Sequence, residues 1–352
     1  MFKLEEVLKE VSSEAFPKKE NLEFLLSLES LQDISVLFSF ADRARERYCG
    51  NGVILRGIVE FYSFCNKPCF YCGLNKNNRS LKRYRLDKEQ VLDCAGSIRR
   101  SGVKTIVLQS GDDDSLDPYW LADVIKEIKN KFCLAVTLCV GEKELDEYRL
   151  WKEAGADRYL LKIETSSEKL YESLHPGMSF KRRLKCLRLL KDLGFQVGSG
   201  NMIGLKGQSI SDIADDILFF KSEDYDMVSI SPFIPHLKTE LKDQAAGSAA
   251  LTLKALALAR IILKDTHLPA TTALGSLGED FRIDALKAGA NVLMPNFTPM
   301  PYRKEYEIYP GKRCIDEPVG ACASCVSSIV GSIGRFIDDS VGDSLKVKTQ
   351  IG

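Results

Sequence analysis

The chain has 352 residues, and its 49 basic side chains balance its 49 acidic ones, so the formal net charge is zero. This balance argues against a nucleic acid or an anionic membrane surface as the partner and favours a small molecule or another protein. Hydrophobic residues make up 45% of the chain, enough for a large buried core. No apolar run approaches the roughly 20 residues of a membrane span, and Met1 to Glu10 lack the apolar region of a secretory signal. We therefore expect a globular, cytoplasmic protein.

The first 50 residues predict an amphipathic helical extension. Ser30 and Asp33 have the spacing of a capping box at a helix start. Apolar residues then recur every three or four positions, as on one face of a helix, at Leu31, Ile34, Phe38 and Ala41. We expect residues 1–50 to be an addition to a larger domain rather than a domain of their own.

From about Val53 onward, short β-branched and apolar runs alternate with longer amphipathic segments. The runs predict eight strands: Val53–Phe61, Lys104–Leu108, Leu134–Val140, Arg158–Ile163, Gln196–Ser199, Met227–Ser231, Ala270–Ala273 and Asn291–Met294. The segments between them predict helices, among them Lys88–Ser101, Lys143–Ala154, Phe180–Leu193, Ile210–Lys221 and Leu251–Ile262. Several helices end in a glycine before the next strand, at Gly102, Gly155, Gly194 and Gly289.

Eight parallel β-α units close naturally into a (β/α)8 barrel of the TIM type. An open doubly wound sheet is the alternative, but no glycine-rich dinucleotide turn follows the first strand. We therefore predict an α/β fold with one barrel over residues 51–300. The N-terminal helical extension precedes it, and a C-terminal extension over residues 301–352 follows.

Three of the eleven cysteines, Cys65, Cys69 and Cys72, lie in a loop directly after the first predicted strand. In a cytoplasmic protein, clustered cysteines indicate metal ligands rather than disulfides. Zinc sites usually take four protein ligands, whereas three thiolates with no fourth nearby fit a [4Fe–4S] cluster with one open iron. A structural zinc loop is the alternative. Five isolated cysteines are expected to be small buried hydrophobes: Cys49, Cys94, Cys133, Cys139 and Cys186.

The Cys-x3-Cys-x2-Cys spacing, with the aromatic Tyr71 before the last cysteine, resembles the signature of the radical S-adenosylmethionine (SAM) superfamily. The resemblance implies that the open iron binds the amino and carboxylate groups of SAM. It also implies that SAM is cleaved to a 5′-deoxyadenosyl radical by an oxygen-sensitive enzyme. A cysteine loop after the first strand agrees with the active sites of that family, which lie at the carboxyl ends of the barrel strands.

The resemblance further implies a SAM site built from several strand ends. The turn Ser110-Gly111-Asp112 resembles the Gly-Gly-Glu motif that receives the SAM ammonium, with Asp in place of Glu. Burying charged groups unpaired is costly, so pairing with the charged ends of SAM explains ionic residues at the barrel mouth. An ion-pair network at the rim is the alternative explanation. The predicted SAM-binding residues are Tyr71, Ser110, Gly111, Asp112, Lys162, Glu164, Arg183 and Met202.

Between about Ile54 and Cys325, several segments resemble the HydE family of FeFe-hydrogenase maturases. They are Cys69–Leu74, Thr105–Gly111, Gly155–Leu161, Ser231–His236, Pro269–Ala273 and Asn291–Asn296. This resemblance implies a small sulfur-containing substrate that is processed during assembly of the hydrogenase di-iron site. It implies, as partners, an electron donor such as ferredoxin or flavodoxin and the other hydrogenase maturases.

The same resemblance implies a substrate site inside the barrel, formed by Arg158, Met227, Thr271, Thr272, Met294, Tyr302 and Tyr306. The threonines would donate hydrogen bonds to an anionic group, and the arginine would supply positive charge. The methionines would line the cavity, and one of the tyrosines would close its mouth. Without the resemblance, hydrogen bonding between strands and plain core packing are the simpler interpretations.

A second cysteine trio, Cys314, Cys322 and Cys325, follows the last predicted strand. The resemblance implies an auxiliary iron–sulfur cluster at this position, and a vacant or zinc-binding site is the alternative.

Three other functions remain open at this point. A biotin synthase-like sulfur insertion would need more cysteines on the inner strands and an asparagine-rich segment in place of Ile163–Ser167. A methylornithine synthase-like mutase generally lacks the C-terminal cysteine trio. A zinc-stabilised interaction protein is the non-enzymatic alternative.

Overall fold

The computed structural model describes residues 2–313, 315–316 and 321–346. The helices of these residues are α1 Phe2–Ser13, α2 Lys19–Leu26, α3 Leu31–Cys49, α4 Lys88–Arg100, α5 Pro118–Phe132, α6 Leu145–Glu153, α7 Glu168–Leu174, α8 Phe180–Asp192, α9 Ile210–Glu223, α10 Ala249–Leu263, α11 Arg282–Lys287, α12 Met300–Arg303 and α13 Ala321–Ser332. The strands are β1 Gly52–Leu55, β2 Gly57–Tyr62, β3 Thr105–Ser110, β4 Ala135–Cys139, β5 Arg158–Leu160, β6 Gln196–Ile203, β7 Met227–Pro232, β8 Val292–Leu293 and β9 Phe336–Asp338. No helix in the described ranges is long and apolar enough to cross a membrane.

Strands β2 to β7 form a parallel sheet in which each strand pairs with the next one in the chain. The sheet closes into a barrel through two further segments. His267 bridges to Met227 of β7, and Pro269 bridges to Val292 of β8. The chain after β8 then pairs with β2, since Ile58 N donates to Pro295 O at 2.9 Å. The predicted eight-membered α/β barrel is confirmed.

The seventh barrel segment differs from its prediction. The sequence placed a strand at Ala270–Ala273, whereas the pairing occurs over residues 267–270 and a 3-10 turn follows at Leu274–Ser276. Pro269 lacks the N–H that a regular ladder needs, which limits this segment to isolated bridges. Thr271 therefore lies beyond the strand, at the carboxyl end of the barrel.

The N-terminal extension is helical as predicted, and it packs on the outside of the barrel. Ser30 caps α3 by accepting a hydrogen bond from Asp33 N at 3.4 Å. Helices α2 and α3 pack on α9 and α10 with buried apolar residues, among them Leu22, Leu25, Leu37 and Ala41. The burial of these side chains, with about 1.5–3 kcal/mol from each leucine, holds the extension against the barrel.

The C-terminal segment closes the amino end of the barrel. Strand β9 adds to the edge of β1, with Gly52 opposite Phe336. The following residues lie across the strand starts, where Arg56 Nη2 donates to Gly342 O at 3.0 Å and Arg158 Nη2 bonds Asp343 Oδ1 at 2.6 Å. The open cavities of the barrel consequently lie toward the carboxyl ends of the strands.

Candidate active site

The three-cysteine loop lies against the end of the neighbouring strand β3. Asn66 N donates to Asp112 O at 2.8 Å, and Gly111 N donates to Tyr62 O at 3.2 Å. A side chain at Gly111 would not fit, because a Cβ there would stand 2.1 Å from Phe64 O. The glycine of the Ser110-Gly111-Asp112 turn therefore allows the cysteine loop to approach β3 closely.

Arg83 fastens the other side of the loop, a role that the sequence analysis did not predict. Its Nη1 donates to Ser63 O at 2.5 Å and to Leu74 O at 2.8 Å, and its Nη2 donates to Asn75 O at 2.8 Å. One guanidinium thus binds backbone carbonyls before and after the cysteines. The available sequence signal is the location of Arg83 in a run of basic residues directly after the motif.

The three thiols are half-buried and line one cavity of about 280 Å³. Burial raises the pKa of all three, that of Cys72 to about 12, and the nearby thiols of the loop raise it further for Cys69 and Cys72. The thiols are therefore protonated at neutral pH, and binding of a metal centre must release protons. Among the described residues, no three His, Cys, Asp or Glu side chains converge on a position for one metal ion. In a [4Fe–4S] cluster each cysteine binds a different iron, so such convergence is not required.

The cavity, named the upper cavity here, also contains the entire predicted SAM-binding set. Its lining includes Tyr71, Ser110, Gly111, Asp112, Lys162, Glu164, Arg183 and Met202. These residues come from the cysteine loop, from the ends of three strands and from α8. The barrel thus brings together side chains that are up to 131 positions apart, from Tyr71 to Met202.

Two carboxylates of the upper cavity have a buried oxygen without a hydrogen-bond donor. Asp112 Oδ2 accepts from Glu142 N at 3.0 Å, whereas Asp112 Oδ1 has no donor among the described residues. Burial raises the pKa of Asp112, and the lysines nearest to Oδ1, Lys67 and Lys143, stand 3.7 and 3.8 Å away. Such an oxygen fits a cationic ligand group such as an ammonium.

Glu164 is the second of these carboxylates, and its backbone is strained. Its φ is +63°, a left-handed conformation that few non-glycine residues adopt. Glu164 Oε2 lies 3.0 Å from Lys162 Nζ, an ion pair by distance, but it lacks a donor with hydrogen-bond geometry. Hydrogen bonds to Gly200 O and from Met202 N, both 3.0 Å long, hold the backbone in place. In this backbone conformation Glu164 lines the upper cavity.

Part of the Arg183 guanidinium is already hydrogen-bonded within the protein. Its Nε donates to Glu142 Oε1 and its Nη1 to Lys162 O, both at 2.6 Å. The predicted alternative of an ion-pair network at the rim therefore describes part of the arrangement. The pKa of Arg183 is raised, since nearby Tyr171, Glu142 and Asp112 outweigh the effect of burial, so its charge persists at all relevant pH values.

A second cavity of about 200 Å³, named the lower cavity, lies deeper in the barrel. It contains three of the predicted substrate residues, Thr271, Thr272 and Met294. Thr271 Oγ1 accepts from Leu274 N at 3.4 Å, which leaves its hydroxyl proton available to a ligand. The two cavities share part of their lining and therefore adjoin: Gln109, Cys139, Leu160, Lys162, Ser231, Ala273, Ile308 and Tyr309 line both.

The lower cavity contains charged residues that the sequence analysis missed. Glu60 of β2 and Lys312 form a buried ion pair there, with side chains only 3% and 6% exposed. Arg282 lines the same cavity and pairs with Asp280 at 2.6 Å. A sequence signal did exist for Glu60, since it is a charged residue inside an otherwise apolar strand. Lys312 gave none, because its partner is 252 positions away.

Three predicted substrate residues lie outside both cavities, which corrects their assignment. Arg158 and Met227 line a separate, small cavity at the amino end of the barrel. There Arg158 pairs with Asp343 and Met227 Sδ accepts from Arg56. Tyr302 packs on Tyr84, with ring centres 4.8 Å apart, and accepts from Gln90 of α4, whereas Tyr306 does line the upper cavity.

The C-terminal cysteine trio lies partly outside the described residues. Cys325 is exposed on α13. Cys314 lies outside the described residues, as does the side chain of Cys322. The auxiliary cluster therefore stays a prediction.

Comparison with known proteins assigns the family. The model of the Radical SAM superfamily matches residues 59–220, which include the cysteine loop and all eight predicted SAM-binding residues. The chain is 47% identical over 330 residues to the "[FeFe] hydrogenase maturase subunit HydE" of Thermotoga maritima, covering 94% of each chain. The chain belongs to the radical SAM superfamily and, within it, to the HydE family. It is accordingly a radical SAM enzyme, which uses a [4Fe–4S] cluster and SAM, and the alternative of a zinc-stabilised interaction protein is wrong.

More distant relatives share the barrel. The chain is 30% identical over 276 residues to the 3-methylornithine synthase of Methanosarcina acetivorans, covering 78% of each chain. The crystal structure of a methylornithine synthase (PylB) superposes with a TM-score of 0.83 at 24% identity, covering 97% of this chain and 99% of that one. At this identity the superposition supports the fold alone.

Proposed function

We propose that this protein is a maturase of FeFe-hydrogenase that acts on a small sulfur-containing substrate. The observation that carries the proposal is the adjacency of two cavities in a HydE-family barrel. The upper cavity has three thiols and a polar wall suited to SAM, and the lower cavity has threonines and charged groups suited to a small polar substrate.

Cys65, Cys69 and Cys72 would hold the [4Fe–4S] cluster. The fit rests on three thiols that line one cavity, close to two carboxylate oxygens that lack donors. Bound together, the cluster and SAM supply a 5′-deoxyadenosyl radical through one-electron cleavage of SAM. The protein itself contributes binding, orientation and the exclusion of water around this chemistry.

The residues of the upper cavity would hold SAM by its charges. Asp112 Oδ1 and Glu164 Oε2 would accept from its polar groups, with the ammonium as the expected donor. Lys162 and Arg183 would attract its carboxylate, while Met202, which is 8% exposed, would pack on its apolar parts. Ser110, Gly111 and Tyr71 would shape the wall between SAM and the cysteine loop.

The lower cavity would hold the substrate within reach of the radical. Thr271 and Thr272 would donate hydrogen bonds, and Met294 would contact a sulfur or an apolar group. Lys162 lines both cavities and would therefore lie between SAM and the substrate. Tyr306, which is buried and lines the upper cavity, would limit the access of water.

The proposed protein partners and the proposed auxiliary cluster rest on membership of the HydE family. An electron donor such as ferredoxin or flavodoxin would reduce the cluster, and other hydrogenase maturases would supply the substrate and receive the product. An auxiliary cluster would occupy the C-terminal cysteine trio.

The first experiment tests the radical chemistry. The anaerobically purified enzyme, reconstituted with iron and sulfide and reduced with dithionite, should form 5′-deoxyadenosine from SAM. Cys69→Ala should abolish the product, while Cys133→Ala should not, because Cys133 is exposed at the end of α5 rather than buried as the sequence predicted. Retention of product in Cys69→Ala would contradict the proposed cluster site.

The second experiment tests the pathway. Activation of apo-hydrogenase in a mixture of purified maturases should depend on the wild-type enzyme and fail with Cys69→Ala. Activation that proceeds without this enzyme would contradict the maturase function. Formation of 3-methylornithine by the purified enzyme would support the mutase alternative instead.

A further inference from the structure

A run of basic residues surrounds the cysteine loop. Residues 63–86 contain six cationic side chains and no acidic one, in a chain whose total charge is zero. The cationic residues are Lys67, Lys76, Arg79, Lys82, Arg83 and Arg85. The average composition of the chain does not explain this local concentration of positive charge.

Part of the run is used within the protein. Arg83 binds backbone carbonyls inside the loop, Arg85 donates to Tyr62 Oη at 2.6 Å, and Lys67 lies 3.7 Å from Asp112. The other three, Lys76, Arg79 and Lys82, are exposed and make no ion pair with any described residue. They contribute a net charge of +3 to the surface, and we name them the basic face.

The basic face is connected to the cluster site through short hydrogen bonds. Asn75, next to Lys76, donates from its Nδ2 to Cys72 O at 2.7 Å. Asn78, next to Arg79, donates from its Nδ2 to Gly73 O at 2.8 Å. The segment that carries Lys76 and Arg79 is therefore hydrogen-bonded directly to the backbone of a cluster-binding cysteine and of the residue after it.

An exposed apolar residue directly follows a histidine that lies against the cysteine loop. Leu237 is 74% exposed, and the preceding residue, His236, lies against Gly73, where an added Cβ would stand 2.7 Å from His236 Nε2. Positive charge beside a small apolar contact is typical of a surface for a transient protein partner. A surface for nucleic acid would need a longer basic stripe.

We propose that the basic face of Lys76, Arg79 and Lys82 is the docking surface for an acidic one-electron donor protein. The proposal rests on the proposed function, in which the cluster on the cysteine loop must be reduced. In this step the donor loses one electron and the cluster gains it, and no bond forms or breaks. Positive charge placed beside the electron acceptor steers an acidic donor to the position from which the path for electron transfer is shortest.

The test measures reduction of the cluster without SAM, as the loss of its visible absorbance in a stopped-flow instrument. An acidic flavodoxin, fully reduced beforehand, is one reductant, and dithionite is the small-molecule control. The variants are K76E/R79E/K82E and the milder K76Q/R79Q/K82Q. The matched control is R43E/R47E, which reverses two exposed charges on α3, away from the cysteine loop.

At low ionic strength, K76E/R79E/K82E should be reduced by flavodoxin at least about tenfold more slowly than wild type, with the Gln variant between them. The control variant should match wild type, and all proteins should react equally with dithionite. Added salt should narrow the differences in the rate of reduction by flavodoxin.

Equal rates for wild type and both basic-face variants with flavodoxin would overturn the docking surface while leaving the proposed function intact. A wild-type cluster that dithionite cannot reduce would instead overturn the proposed function, and the docking surface with it. Tighter binding of single-stranded DNA than of flavodoxin, lost in the Glu variant, would also overturn the proposal.

Discussion

Tyr71 and His175 are joined by a hydrogen bond of 2.8 Å between Tyr71 Oη and His175 Nε2. His175 Nδ1 lies 2.7 Å from Tyr171 O, and a carbonyl can only accept, so Nδ1 carries the proton and Nε2 accepts from Tyr71. Burial lowers the pKa of His175 to about 3, which keeps the ring neutral. The residue directly after α7 thus fixes the aromatic residue that precedes the last cysteine of the loop.

Tyr71→Phe should therefore destabilise the protein and loosen the cysteine loop. The change removes the donor and leaves a buried nitrogen unsatisfied, which costs about 1–3 kcal/mol. Anaerobic denaturant unfolding should show this loss, together with weaker binding of SAM. Tyr119→Phe is the control, because Tyr119 is 73% exposed, and it should leave both properties unchanged. Equal unfolding curves for Tyr71→Phe and wild type would show that the hydrogen bond contributes nothing to stability.

Glu164→Gln should weaken SAM binding by about tenfold or more. A hydrogen bond to a charged group contributes about 1.5–3 kcal/mol, and 1.4 kcal/mol corresponds to a factor of ten. Calorimetric titration of SAM into the reconstituted enzyme measures the change in dissociation constant. Glu168→Gln is the matched control, since that carboxylate is 46% exposed on α7 and lies outside the cavity. Unchanged affinity in Glu164→Gln would remove Glu164 from the SAM site.

The Glu60–Lys312 pair should behave as a buried ion pair in a double-mutant cycle. Lys312→Met leaves the Glu60 carboxylate buried without its cation and should cost about 3–5 kcal/mol of unfolding free energy. The double variant Glu60→Gln with Lys312→Met should recover most of the loss. Lys304→Met removes an exposed pair with Asp316, 2.8 Å long, and should change little. If the changes in unfolding free energy of the single variants Glu60→Gln and Lys312→Met add up to that of the double variant, a direct interaction between Glu60 and Lys312 is contradicted.

The sequence predicted the parts of the fold and site that depend on local pattern. The alternation of strand and helix identified the barrel, and the spacing of Cys65, Cys69 and Cys72 identified the loop chemistry. Strand ends that follow one another around a parallel barrel meet at one rim, so Asp112 and Glu164 could be assigned to one site from their positions alone.

The contacts that sequence reasoning missed join residues far apart in the chain. Arg158 was assigned to the substrate, but it pairs with Asp343, which is 185 positions away. Nothing in the local pattern indicates that the C-terminal segment covers the amino end of the barrel. The shift of the seventh segment has a local cause, Pro269, but its effect depends on the pairing with Val292. These contacts depend on long-range packing. The hydrophobic periodicity of a single sequence does not reveal which distant segments pack together.

His267 should make the stability of the barrel depend on pH. Its Nδ1 accepts from Asn291 Nδ2 at 3.0 Å and its Nε2 donates to Asp343 O at 2.9 Å, so the ring is buried as the neutral form. Burial, assisted by the nearby charges of Arg56 and Arg260, lowers its pKa from 6.5 to about 3. Between these values the unfolded chain binds a proton that the folded protein does not bind.

The stability contributed by neutral His267 is therefore fully present above pH 6.5 and is lost as the pH falls below it, by up to about 1.4 kcal/mol per pH unit. His267→Gln removes this titration, so its unfolding free energy should change less than that of wild type between about pH 7.5 and about pH 5.5, because the lower half of this range falls below the unfolded pKa of 6.5. Anaerobic denaturant unfolding at several pH values measures both slopes. His175 has the same sign of shift and remains in the variant, so a residual slope is expected. Parallel curves for the two proteins would mean that His267 titrates alike in the folded and unfolded states, and its burial as a neutral ring would then be wrong.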